Sequence, residues 1–112
     1  MLPEKIYSDL KDVAHTTATE FQKKYGEPMY CGFASVHIKP ARGQFVKFLK
    51  ENDLGHSGYP TGYDISWHDV IKGHKASGSQ SMDLKEHVMQ AVADRLKVYL
   101  KDHTIYMTSM AD

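Results

Sequence analysis

Thiol chemistry is nearly absent from this chain: Cys31 is its single cysteine, so no intrachain disulfide can staple the fold. Set in an apolar run, Cys31 reads as a reduced core residue of a cytosolic protein. Surplus charge is absent too, with 14 basic residues against 14 acidic ones. That balance excludes a dedicated nucleic-acid binder, whose affinity rests on excess Lys and Arg meeting phosphates. It equally excludes an acidic mimic of DNA. No stretch approaches the roughly 18 consecutive apolar residues of a membrane span. The opening Met1-Leu2-Pro3-Glu4-Lys5 has no apolar signal core. The expectation is a soluble protein of the cytoplasm, with neither membrane nor nucleic acid among its partners.

Catalytic signatures are missing as well. Neither Gly73 nor Gly78 leads into Gly-Lys-Ser/Thr, and no G-x-S-x-G elbow occurs. The seven histidines include no H-E-x-x-H pair, and Cys31 has no second thiolate with which to hold a metal. His56, His68, His74 and His87 read as scattered solvated side chains, so no metal and no cofactor is expected. His15-Thr16-Thr17 resembles half of a paired H-x-T motif, but His103-Thr104-Ile105 fails at its third position. A non-enzymatic protein is the expectation.

What is present is an ordinary globular composition: 112 residues, 41% apolar and 25% charged, suit one domain spanning 1–112 with a real core. From Pro3 to Tyr25, Ile6, Leu10, Val13, Thr17, Phe21 and Tyr25 recur at helical spacing, and Gly26 followed by Pro28 ends the helix. Met29 to Lys39 alternates as a strand, with Gly32, Ala34, Val36 and Ile38 on one face and Cys31, Phe33, Ser35 and His37 on the other. Gly43 to Asn52 predicts a short helix, His56 to Gly62 a Gly/Pro turn, and Tyr63 to Trp67 a second strand. His68 to Ser79 is polar and Gly/Ser-rich, the best candidate for a mobile loop. Asp83 to Lys101 repeats Leu84, Val88, Val92, Leu96 and Leu100 at intervals of four, with Asp83 and Glu86 as a capping box. His103 to Met110 reads as a last strand. The order α-β-α-β-α-β predicts an α+β sandwich, a short sheet covered on one face by helices.

Two junctions and one aromatic group are the candidate surfaces. Arg42 stands at the turn Pro40-Ala41-Arg42-Gly43, where a guanidinium can reach a carboxylate or phosphate bidentately. Its alternative role is a structural salt bridge to Asp83 or Glu86, if the junctions lie side by side. Lys75, with Ser79, Gln80 and Ser81, belongs to a loop that can cradle an anion just before a helix. Against that reading, Asp83 and Glu86 would repel a phosphate. Tyr59, Tyr63 and Trp67 are residue types that anchor protein interfaces, or else core.

The blocks Cys31-Gly32-Phe33-Ala34, Pro40-Ala41-Arg42-Gly43, Gly62-Tyr63-Asp64-Ile65 and Gln80-Ser81-Met82-Asp83-Leu84-Lys85-Glu86 together resemble small proteins of tailed bacteriophages. The resemblance covers roughly residues 31 to 110. That family has no assigned activity, so the resemblance implies a phage setting and a host cytoplasm but no catalytic residues. The leading expectation is an accessory protein that binds a host protein, such as a defence or regulatory factor. The alternative is a module that binds, sequesters or processes an anionic metabolite such as a nucleotide, using Arg42, Lys75 and Ser79 to Ser81. A minor structural protein of the virion is a third reading, disfavoured because no repeats or long arm are present. Oligomeric state cannot be read from these patterns.

Overall fold

The computed structural model describes residues 1–28 and 30–112. The first helix, α1, runs Pro3–Tyr25, with Pro3 in the first turn and Gly26 at φ 69° just past the last. Ile6, Tyr7, Leu10, Ala14, Ala18 and Phe21 form its buried face. Three positions of the expected stripe depart from it, since Val13 and Thr17 are half-buried and Tyr25 is exposed.

β1 (Gly32–Lys39) buries Gly32, Ala34, Val36 and Ile38, as the alternation required. Met29, the expected first residue of this strand, lies outside the described residues. Cys31 corrects the core reading: it is exposed, just before the strand, in a single bridge to Ser81. Helix α2 (Gln44–Glu51) turns Phe45, Val46 and Leu49 inward. One element then stands where none was expected, and the strand expected from Tyr63 to Trp67 forms but ends at Ser66. β2 (His56–Ser57) occupies the start of the turn, and β3 (Tyr63–Ser66) follows it.

The expected mobile loop is in fact ordered structure. Trp67–Ile71 forms α3, and Lys75–Gly78 forms a 3-10 turn. The reason is local hydrogen bonding plus burial. Asp69 Oδ2 accepts from the Ser66 N–H and hydroxyl at 2.8 and 3.0 Å, while Trp67, Val70 and Ile71 are buried. His74 Nδ1 accepts from the Ala76 N–H at 2.9 Å, so its Nε2–H donates to Thr19 Oγ1 at 2.8 Å.

Helix α4 (Met82–Tyr99) carries the expected Leu84, Val88, Val92 and Leu96 in the core. Its cap is Ser81, whose hydroxyl accepts from the Leu84 N–H, rather than Asp83. Glu86 instead accepts from the Ser109 hydroxyl at 2.5 Å. β4 (Thr104–Ala111) completes the chain's strands.

The sheet is antiparallel throughout, in the order β2-β3-β1-β4. Setting α1 aside, strands and helices follow the split β-α-β plan. Helix α4 packs on β1 and β4, and α1 packs on α4, α3 and α2. Asp9 pins the two long helices together by accepting from Arg95 at 2.8 Å and the Tyr99 hydroxyl at 2.5 Å. The molecule is therefore an α+β sandwich with helices on one face of a four-stranded sheet. No helix among the described residues is long and apolar enough to cross a membrane.

Val92 is fully buried, so Val92→Asp places an unpaired charge in the core. The expected loss exceeds about 4 kcal/mol, enough to abolish a cooperative melting transition. A second expectation concerns His74, whose pKa burial holds below the usual histidine value, with His15 and Lys75 adding to the effect. Below pH of about 6.5 the unfolded chain takes up a proton that the folded one resists, so stability falls as pH falls. His74→Asn keeps an acceptor at this cap but cannot titrate there. Urea midpoints at pH 7.5 and 5.5 should separate more for the native protein than for this variant.

Candidate functional site

Because helices cover one face of the sheet, every second strand residue points to the other. Strand register arranges these residues in rows. Asp64 stands opposite both His56 and His37, and His37 opposite Tyr106. Ser35 stands between Ser66 and Thr108, and Phe33 opposite Met110.

The first row is held by one carboxylate. His37 Nδ1 lies 2.5 Å from Asp64 Oδ1, and His56 Nε2 lies 3.7 Å from Oδ2. A carboxylate only accepts, so Nδ1 carries the proton of that hydrogen bond. The His37 ring also packs on Tyr106, centroids 5.1 Å apart, and the Lys39 ammonium sits 5.8 Å from that tyrosine ring. His37 is buried because the turn from Gly58 to Gly62 lies over it. A Cβ on Gly62 would come within 2.5 Å of His37 Nε2, and its φ of 88° already favours glycine.

At the other end of the face the surface is apolar. Phe33 is 50% exposed and Met110 71%, while Tyr106, back in the His37 row, is 40% exposed. Two adjoining hollows of about 260 and 270 Å³ share Phe33, Ser35, His56 and Met110. One extends to Asp64 and Thr108, the other to Ser66, Trp67 and His68, where β3 gives way to α3. No Lys or Arg lines either hollow, and a carboxylate lines one of them. Such walls suit apolar groups and neutral or cationic donors better than anions. Beneath Phe33 the buried Lys85 ammonium donates to the Gly32 carbonyl at 2.9 Å and lies 5.3 Å from the Phe33 ring. Burial lowers the pKa of Lys85, with Cys31 and Asp112 opposing that shift.

The two junctions lie apart. Arg42 follows the Lys39 end of β1, whereas Gln80 accepts from the Gly32 N–H at the other end. An eight-residue strand separates them by roughly 23 Å, so they form no common pocket. Arg42 is exposed, makes no ion pair among the described residues, and offers its carbonyl to His103 Nε2 at 2.7 Å. The suggested bridge to Asp83 or Glu86 is therefore not made. Lys75 is exposed on its 3-10 turn. Ser79 and Ser81 are buried and bonded to each other, the Ser81 N–H donating to the Ser79 hydroxyl at 3.1 Å. The aromatic group divides in the same way. Tyr63 is buried and donates to the Leu54 carbonyl at 2.6 Å, Trp67 is 1% exposed, and Tyr59 alone is on the surface.

Phe33, His37, Asp64, Tyr106 and Met110 were not singled out by their residue types. The alternation along β1 placed Phe33 and His37 on one face, but their neighbours depend on strand order. The described residues bring no three His, Cys, Asp or Glu side chains into an arrangement able to hold a metal ion.

Gly62→Ala should cost about 1–3 kcal/mol, because the methyl group meets the His37 ring and the backbone is left-handed. Gly73→Ala is the control: φ is 90° there but nothing lies within 4 Å. Urea denaturation should show the larger loss at Gly62, and equal losses would remove the turn's claim to clamp His37.

Compared with protein-family models, curated proteins and solved structures, the chain has no match in any of the three.

Proposed function

We propose that the protein acts by binding another protein, with the open sheet face as its docking surface. The observation that carries this reading is the exposure of Phe33, Tyr106 and Met110 on a face that no helix covers, beside two hollows of side-chain size. An anionic metabolite fits less well. Asp64 borders one hollow, and Arg42 lies at the opposite end of β1 from the Ser79–Ser81 segment. The resemblance to phage proteins supports a host protein, met in the host cytoplasm, as the partner.

The test uses immobilised protein to capture a partner, which is then purified and titrated back. Phe33→Ser combined with Met110→Ser should lower the melting temperature only modestly, since Phe33 is half exposed and Met110 71% exposed. Affinity should fall at least about tenfold, the usual minimum for losing a central apolar anchor. Undiminished affinity in the double variant would move the docking surface off this face, and a loss with Tyr59→Ala alone would move it to the turn.

A further inference from the structure

β4 is a border strand whose eight residues pair with β1 on one side only. Its outer edge therefore presents backbone N–H and C=O groups with no strand beside them. The opposite border is protected by brevity, because β2 is two residues long and runs straight into a glycine turn. Natural sheets guard long borders with charge, proline or a bulge. Thr104-Ile105-Tyr106-Met107-Thr108-Ser109-Met110-Ala111 has no charge and no proline, and its register against β1 is unbroken.

We propose that β4 pairs antiparallel with β4 of a second copy of this chain, centred on Thr108, joining two four-stranded sheets into one. The strand is complementary to itself in that register. Faces match only when the symmetry axis passes through a residue, because side chains alternate with period two. An axis at Thr108 sets Tyr106 opposite Met110 of the second copy, twice, and Thr108 opposite its own counterpart. Aromatic–methionine and Thr–Thr pairs are favourable across strands. On the helix side Ile105 then faces Ala111, and Met107 faces Ser109. An axis at Met107 would instead leave Met110, 71% exposed, against Thr104. A chain of formal net charge zero adds no overall repulsion between copies. This contact joins the sheets at their edge, and Tyr106, Thr108 and Met110 border both the seam and the open face described above.

Sedimentation velocity from about 1 µM to about 1 mM should show the mass rising from 12.7 kDa towards twice that value, as a narrow interface predicts. Thr108 is exposed, so Thr108→Lys and Thr108→Glu should fold normally. Each alone should weaken the dimer at least about tenfold by setting like charges on the axis, and mixing the two should restore it. In a Cys31→Ser background, Thr108→Cys should form an intermolecular disulfide under mild oxidation, while Thr104→Cys should not. Tyr59→Ala, at a residue 95% exposed on the turn between β2 and β3, should keep the dimer. A single 12.7-kDa species at about 1 mM would overturn the proposal, as would a dimer indifferent to Thr108→Lys or one cross-linked through position 104 rather than 108.

Discussion

The pairing of β1 along its whole length with β4, and along half of it with β3, is the constraint on which the other elements depend. It is possible only because the helix-facing side of β1 begins small. A Cβ at Gly32 would fall 2.4 Å from Met82 Sδ and 2.8 Å from the Met110 carbonyl oxygen. Ala34, next on that side, is also small and buried, so α4 approaches the strand closely before Val36 and Ile38 widen the core. Larger residues at the start of β1 would push α4 away, and with it the face of α1 that packs on α4.

The two faces of the sheet consequently differ in kind. One is a packed interior of aliphatic and aromatic side chains. The other is ordered by a few polar contacts, with Asp64 organising two imidazoles at one end and Lys85 supporting Phe33 from below at the other. Lys85 also shows how a buried ammonium is accommodated, by donating to a backbone carbonyl and lying near an aromatic ring. Polar anchoring thus fixes the positions of apolar groups that remain open to a partner.

Much of this was legible in the residue pattern where periodicity is long. Both long helices and the buried side of β1 followed from spacing, because many apolar residues repeat the same signal. Shorter elements were missed for specific reasons. β2 has only two residues, too few to show alternation. Helix α3 lay hidden in a polar stretch, although Ser66-Trp67-His68-Asp69 carries an N-terminal capping signal. The cap of α4 was placed two residues late because Ser81 and Asp83 are both capable of the role. The candidate site failed on tertiary grounds. Whether Arg42 adjoins Gln80, and whether His37 meets Asp64, depends on strand order, which local sequence does not encode. Tyr63 and Trp67 look like interface residues until the direction of β3 sends them inward.

The register between β1 and β4 also bears on how the chain folds. Its nearest paired residues, Lys39 and Thr104, are sixty-five positions apart, and Gly32 and Ala111 are farther still. Both long helices can form from local contacts within microseconds. The central strand, however, gains its longest ladder only after a loop of that span has closed, and the entropy of closure is lost before any of its hydrogen bonds form. Helices therefore set the early, reversible stages, and the rate of reaching the native state is governed by the search of one distant strand for another.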